Sequence, residues 1–374
     1  MMEIGSEYHI DFTDLEACDD NIFTFLKDYN IFLTNYGRSA LGLLYQYIIA
    51  ESGRRDVKVL LPSYICDSVL KVFPKENIVF YDLKEEFVIN EDSIVNLIES
   101  GDFDNGIFYL MHYFGNLVSN EILERIKVLC LDHYMTIIED TTHSIFTLPC
   151  TIGDFCIASL RKWMAIPEGG VVYSRNPLPD EWNKLSHAHA SHKIEAMVLK
   201  NLFLEHAKAY TDLEGMEFVN YAYRKIFVNE EINAGKEVQG ISDLSKFILK
   251  AQNIDEIKNA RKNNYQHLSK RLQDSGIFLY NEKKCDYMEE LVPFTAILLL
   301  DEKNSRDSLR GYLEEHKIYC AVHWIIGNEK QLGFSNTKKW SERLISLPID
   351  QRYGTKEMDY LANNVISYLK EKKI

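Results

Sequence analysis

Between about residues 33 and 175 this chain alternates short apolar runs with longer stretches of helical period, and that alternation constrains the fold more than any other feature. VKVLLPS (57–63), NIVFYDL (77–83), GIFYLMHYFG (106–115), TIIEDTT (136–142), DFCIASL (154–160) and GGVVYS (169–174) read as strands. Periodic segments such as 39–52 and 120–134 lie between them and read as helices. Strands this apolar have no face to offer water, so a mainly parallel sheet covered by helices, an α/β fold, is expected. Residues 176–270 read as helical and polar. FTAILLL (294–300), a helix over 306–317 and an amphipathic helix from about 356 to 373 then make a second α/β pattern. The expected organisation is a large domain over 1–235 with an N-terminal segment, and a smaller C-terminal α/β domain over 236–374. With 374 residues, 46% of them hydrophobic, the chain is long enough for two cores.

Charge and cysteine usage narrow the partners. A net charge of −14 argues against a nucleic-acid backbone or an anionic membrane surface as the main partner. The acidic start MMEIGSEYHIDFTDLEACDD has no apolar core for a secretory signal, and LVPFTAILLL (291–300) is too short to span a bilayer. Seven cysteines without CxxC spacing read as reduced thiols, so the cytoplasm is the expected compartment. HAHASH (187–192) has no carboxylates or cysteines beside it and reads as a solvated helix face, so no metal is expected.

In open α/β sheets ligands bind beyond the carboxyl ends of the strands, and four positions there bear chemistry. TIIED ends on Asp140, with His143 three residues on. A carboxylate after a buried strand needs hydrogen bonds or a cation, and a protonated pyridine nitrogen is such a cation. Equally, an acid there begins an ordinary solvated loop or helix cap. DFCIASL runs into Lys162, flanked by Trp163 and Met164. Desolvation would lower that amine's pKa and favour Schiff-base formation, while the ordinary alternative is a surface lysine. Ser159, three residues earlier, is placed to hold a phosphate oxygen. NYGRSAL puts Gly37, Arg38 and Ser39 before a helix, as an anion-binding turn or a plain cap. Tyr64, just past LLPS, is either a stacking face for a ring or core.

The order of these segments resembles the fold-type I pyridoxal-phosphate enzymes and, within them, the DegT/DnrJ/EryC1/StrS aminotransferase family. NYGRSAL is similar to its phosphate turn, LPSYICDSVL to its stacking segment, and HYFG (112–115) to its His-x-x-Gly strand end. IIEDTTHS is similar to the acid segment, SLRKW with PEGGVVYS to the lysine segment, and RLISLPIDQRYGTKEMDYLANNVISYL to the closing stretch. The resemblance implies pyridoxal 5′-phosphate as cofactor, a Schiff base on Lys162 that also moves protons, and Asp140 against the ring nitrogen. It further implies His143 near the phenol oxygen, Tyr64 over the ring, and Gly37, Arg38, Ser39 and Ser159 around the phosphate. The implied partners are an amino donor, glutamate first, and a keto acceptor, a nucleotide-linked ketosugar first, in a homodimer. His323 and Trp324 are candidates to touch the acceptor, and His187, His189, His192 and Tyr210 to shape its pocket. Three departures suggest a divergent branch. Ser159 lies closer to Lys162 than the family's spacing, Arg38 replaces a threonine, and the segment by which a neighbouring subunit reaches the phosphate has no match. A pyridoxal-phosphate lyase or dehydratase, or a non-catalytic protein that kept the fold, remains the alternative.

Overall fold

The computed structural model describes residues 3–13, 15–54, 56–189, 191–209, 213–233, 237–280 and 291–371. Its strands are β1 (Asn30–Thr34), β2 (Val59–Pro62), β3 (Ile78–Tyr81), β4 (Ile107–Met111), β5 (Thr136–Asp140), β6 (Phe155–Ser159), β7 (Gly170–Ser174), β8 (Ala296–Leu299) and β9 (Leu344–Leu347). The first seven form one sheet in the order β1-β7-β6-β5-β4-β2-β3, and β8 and β9 form a separate pair. This is the mainly parallel α/β sheet expected. All six apolar runs between 57 and 174 became strands of it, each trimmed at one end or both. Every residue of β2 and β4 is buried, which is why these runs carry no polar alternation. The strand of this sheet missed in sequence is β1. Its residues NIFLT are mostly half-exposed, and it pairs antiparallel with β7, Thr34 opposite Gly170.

The chain forms two compact units, each discontinuous in sequence: 1–44 with 157–255, and 45–156 with 256–374. The expected boundary at 235/236 falls on residues outside those described. In the first unit the β1–β7 ladder is extended by Asn35 N–H to Gln239 O and Ile241 N–H to Leu33 O, at 2.9 and 3.1 Å. The Asp243–Lys250 helix follows, its first turn closed twice. Ser242 accepts from Ser245 N–H at 3.1 Å, while buried Glu168 accepts from Ser242 N–H and Ser245 O–H, each at 2.9 Å. The Ser191–Ala209 and Leu213–Asn233 helices pack together. Buried Lys200 joins this pair to the N-terminal segment, ion-paired with Glu3 and donating to Tyr223 Oη at 2.9 Å.

In the second unit β3, β2, β4 and β5 run parallel, so the ends that carry Pro62, Met111 and Asp140 point the same way. The Glu91–Ser100 and Asn120–Asp132 helices turn Ile94, Ile98, Leu123 and Ile126 inward. The antiparallel β8–β9 pair packs with the Ser335–Arg343 and Lys303–Glu315 helices around fully buried Trp340, Leu309 and Leu313. Gln331 Nε2 donates to Ser63 O at 2.9 Å and Thr337 O–H to Ser63 Oγ at 2.8 Å, fixing the chain that leaves β2. Among the described residues no helix is long and apolar enough to cross a membrane.

Candidate active site

The sequence-selected residues divide between the units. Gly37, Arg38, Ser39, Ser159 and Lys162 lie in the first, and Tyr64, Asp140, His143, His323 and Trp324 in the second.

The first group is built on two strand exits. After β1 the chain turns through Asn35 and Tyr36 into the Gly37–Ser52 helix, whose first intrahelical bond is Ala40 N–H to Tyr36 O at 3.0 Å. The amides of Gly37, Arg38 and Ser39 therefore precede the first carbonyl partner and form the positive end of the helix. Ser39 is 1% exposed, and its hydroxyl has no hydrogen-bond partner among the described residues. A Cβ on Gly37 would lie 3.0 Å from Ser159 Cβ, so the turn and the end of β6 approach as closely as glycine allows. The second exit carries Lys162 on a single 3-10 turn, Leu160–Lys162. Leu160 N–H to Gly169 O (2.8 Å) and Trp163 N–H to Leu160 O (2.9 Å) pin it. Trp163 and Met164 are fully buried and Lys162 is half-buried. Gly170 is set against the helix turn, and a Cβ there would meet Tyr36 O at 2.1 Å.

The second group gathers at the carboxyl ends of the parallel strands. Asp140 closes β5 and is 6% exposed, so the solvated-loop reading does not hold for it. Its Oδ2 accepts from Tyr109 O–H at 2.7 Å and its Oδ1 from Thr142 N–H at 2.9 Å; among the described residues it forms no ion pair. Burial first, and then the Asp140 charge, push the Tyr109 phenol well above its usual range, so it remains a donor. Glu139, the other half of the acid pair, points elsewhere and is fully buried. His112 Nε2–H, Thr151 N–H and O–H, Ile152 N–H and Gly153 N–H donate to it at 2.9–3.1 Å. Burial alone would raise its carboxyl, but the hydrogen bonds from His112 and the loop amides hold it below the usual range. Val118 N–H donates to His112 Nδ1 at 3.1 Å, which leaves the ring proton on Nε2 and fixes the tautomer.

Four of the other candidates meet in one aromatic cluster. The ring of His143, wholly buried, lies 5.5 Å from Trp324 at 18° and 4.2 Å from Phe294 at 12°. His323 is 5.6 Å from His143, and its Nδ1 is 2.8 Å from Ser346 Oγ. Tyr64 is fully buried, 5.3 Å from Trp324, with Phe87 stacked at 5.9 Å and its hydroxyl donating to His323 O. Sequence reasoning missed Tyr109 and Glu168, which hide in an apolar run and beside a Gly-Gly pair. Of the histidine-rich stretch, His187 Nδ1 lies 3.0 Å from Ile241 O, and Tyr210 is outside the described residues. Glu139, Cys150 and Cys156 bring ligand atoms within 4.8 Å of one another, yet the Glu139 oxygens already accept the five donors above. A lyase acting through a cysteine persulfide would need an exposed thiol on a loop, whereas Cys150 is half-buried with its Sγ 3.6 Å from Gly153 O, and Cys156 is buried.

In the second unit, a buried carboxylate with no ion pair among the described residues suits a protonated ring nitrogen; in the first, a glycine-narrow turn and a hydroxyl without a partner among the described residues suit a phosphate. The sequence model of the DegT/DnrJ/EryC1/StrS aminotransferase family matches residues 19–366. The chain belongs to this family. Its aminotransferase class is thereby established, and the expected fold-type I architecture and pyridoxal-phosphate cofactor are borne out. Among DegT/DnrJ/EryC1/StrS-like structures, the putative sugar aminotransferase Spr1654 of Streptococcus pneumoniae in its PLP form aligns at 13% identity and TM-score 0.61, over 97% of this chain and 99% of that one. A DegT DnrJ EryC1 StrS aminotransferase from Brucella abortus aligns at 14% and 0.60, over 93% and 88%. The 3-amino-5-hydroxybenzoic acid synthase aligns at 14% and 0.59, over 91% and 86%. No curated protein sequence matches this member of the family.

Proposed function

We propose that this chain transfers an amino group from an amino acid, glutamate first, to a keto acceptor, a nucleotide-linked ketosugar first, using pyridoxal phosphate held on Lys162. The observation that carries the reading is Asp140, a buried carboxylate with two neutral donors and no ion pair among the described residues. Such a charge is costly unless a cation meets it, and a protonated ring nitrogen is that cation. Bound pyridoxal phosphate supplies a ring that draws electrons from the substrate α-carbon. Lys162 carries the cofactor, then takes the α-proton and returns it. The amides of Gly37 and Arg38, with the hydroxyls of Ser39 and Ser159, hold the phosphate. His143 donates toward the phenol oxygen, Tyr64 covers the ring, and His323 with Trp324 borders the acceptor. Support for a sugar acceptor comes from family membership and from the sugar aminotransferase named above. Membership likewise supports a homodimer.

The test is the visible absorbance of the purified protein mixed with pyridoxal phosphate, before and after glutamate, for the wild type and Lys162→Ala. A lysine-linked band present only in the wild type and bleached by glutamate is expected. A band that ignores glutamate overturns the donor assignment, and absence of any lysine-dependent band overturns the reading.

A further inference from the structure

Among the described residues six non-glycine positions have positive φ, and two of them are phenylalanines of the second unit, Phe87 (62°) and Phe114 (58°). A bulky side chain is rare in this left-handed region, and such strain persists only where the surroundings over-determine it. They do so at both positions. Phe87 follows Glu86, itself left-handed at φ 57° and ψ 31°. Glu86 N–H donates to Tyr280 Oη at 2.9 Å, and that hydroxyl donates to Glu85 Oε2 at 2.7 Å. Phe114 and Gly115 (φ 99°) turn the chain beyond β4. Phe294 N–H donates to Phe114 O at 3.1 Å and Thr147 O–H to Gly115 O at 3.0 Å. A Cβ on Gly115 would lie 2.4 Å from Val292 O, so the turn is also closed sterically.

What the two strained rings touch gives the strain a use. They meet each other at 5.1 Å and 65°. Phe87 stacks on Tyr64 at 5.9 Å and 23°, and Phe114 stacks on His143 at 5.1 Å and 28°. Tyr64 and His143 are the side chains assigned above to the cover of the cofactor ring and to its phenol oxygen. Phe87 and Phe114 are themselves buried, so they act through these two side chains and present no face of their own to a ligand. A core that needed only apolar volume would have no use for a left-handed phenylalanine at both places.

We propose that Phe87 and Phe114 are positioning residues that fix the planes of Tyr64 and His143, and with them the tilt of a ring bound against those side chains. The inference rests on the assignment of Tyr64 and His143 to pyridoxal phosphate. A stacked aromatic pair favours its own geometry over others about two- to tenfold, so loss of either phenylalanine frees its partner to take other orientations.

The test compares the full chain saturated with pyridoxal phosphate as wild type, Phe87→Leu, Phe114→Leu and Leu309→Ala. Leucine keeps much of the apolar volume and removes the ring. The readout is the circular dichroism of the lysine-dependent visible band divided by its absorbance, which reports how the ring sits and not how much of it is bound. In each leucine variant this ratio should fall by about half or more, and the cofactor dissociation constant should rise about two- to tenfold. Leu309 is fully buried in the β8–β9 pack and is the stability control. Leu309→Ala should lower the melting temperature at least as far and leave the ratio unchanged. A wild-type ratio in the leucine variants overturns the proposal, and so does an equal loss in Leu309→Ala, which would reduce both phenylalanines to core. Should one leucine variant fail to fold, the other decides. A wild type without the lysine-dependent band overturns the aminotransferase reading and this inference together, whereas a normal wild-type band with unchanged leucine variants overturns this inference alone.

Discussion

Asp140 shows what single residues contribute and how far sequence reveals it. An acid at the end of an apolar strand is visible in TIIED, but which of two adjacent acids bears the chemistry is not. Alternation along the strand sends Glu139 to the His112–Thr151–Gly153 cluster and Asp140 to the other side, against Tyr109. Asp140→Asn keeps an acceptor for Thr142 N–H, and the Tyr109 hydroxyl turns to accept from the new amide. Stability should therefore change by less than about 1 kcal/mol while turnover falls at least about 100-fold, because the charge is gone. Parallel thermal melts and initial rates check this, and a variant that loses both together would reduce Asp140 to a structural acid. Tyr109→Phe removes the 2.7 Å donor. It should cost about 1–2 kcal/mol of stability, read by thermal melts. Tyr109 was illegible in sequence because it sits inside GIFYLM, where a tyrosine reads as one more apolar residue.

Elements were legible where period and apolarity agreed, and illegible where a strand's burial depends on its neighbour. β1 is NIFLT with a mostly half-exposed pattern, and it becomes a strand through its ladder with β7. The same ladder explains the Gly-Gly pair, which sequence shows only as a motif. The chain entering β7 passes so close to the Tyr36 carbonyl that Gly170→Ala would place a Cβ 2.1 Å from it and 2.5 Å from Thr34 Oγ1. That substitution should cost more than about 3 kcal/mol or leave the protein insoluble. Gly37→Ala meets only Ser159 Cβ at 3.0 Å. It should change stability by about 1 kcal/mol or less but weaken pyridoxal-phosphate binding about tenfold, read by titration of the lysine-dependent absorbance. If Gly37→Ala bound cofactor as the wild type does, the turn would be a plain cap. The Asp243–Lys250 helix offers a similar contrast. Its Ser242 cap is held by Glu168, 74 residues away, which accepts from Ser242 N–H and Ser245 O–H and has no local signal in sequence.

For the whole molecule, the order of segments pointed to family and fold, whereas the pairing of distant stretches into units had no sequence signal. Residues 1–44 join 157–255 through contacts such as buried Glu3 with Lys200, and an acidic N-terminus gives no hint of it. Response to acid is set by buried carboxyls held by charged or hydrogen-bonding partners. Asp350 is 8% exposed, gripped by Arg352 Nε at 2.7 Å and Nη2 at 3.0 Å. Burial pushes its carboxyl up, but the Arg352 charge and hydrogen bond, with Arg261 behind them, outweigh this and hold it below its ordinary value; Glu139 is held low by its hydrogen bonds. A carboxyl whose pKa is lower folded than unfolded binds more protons unfolded. It therefore contributes stability that is full above the unfolded value, about 4, and is lost as pH falls through the folded value. The melting temperature should be level from about pH 7 to 5 as far as these two groups act, then drop steeply toward pH 3. Asp350→Asn loses the charge and leaves Arg352 facing an amide, so it should lower stability at pH 7 by about 2–4 kcal/mol. The same variant should flatten the fall between about pH 5 and 3, because one of the two protonations that drive it is gone. Melts at constant ionic strength across that range decide the matter: an unchanged acid slope in the variant would mean that the Asp350–Arg352 pair does not set the acid limit, leaving Glu139 and its His112 cluster to do so.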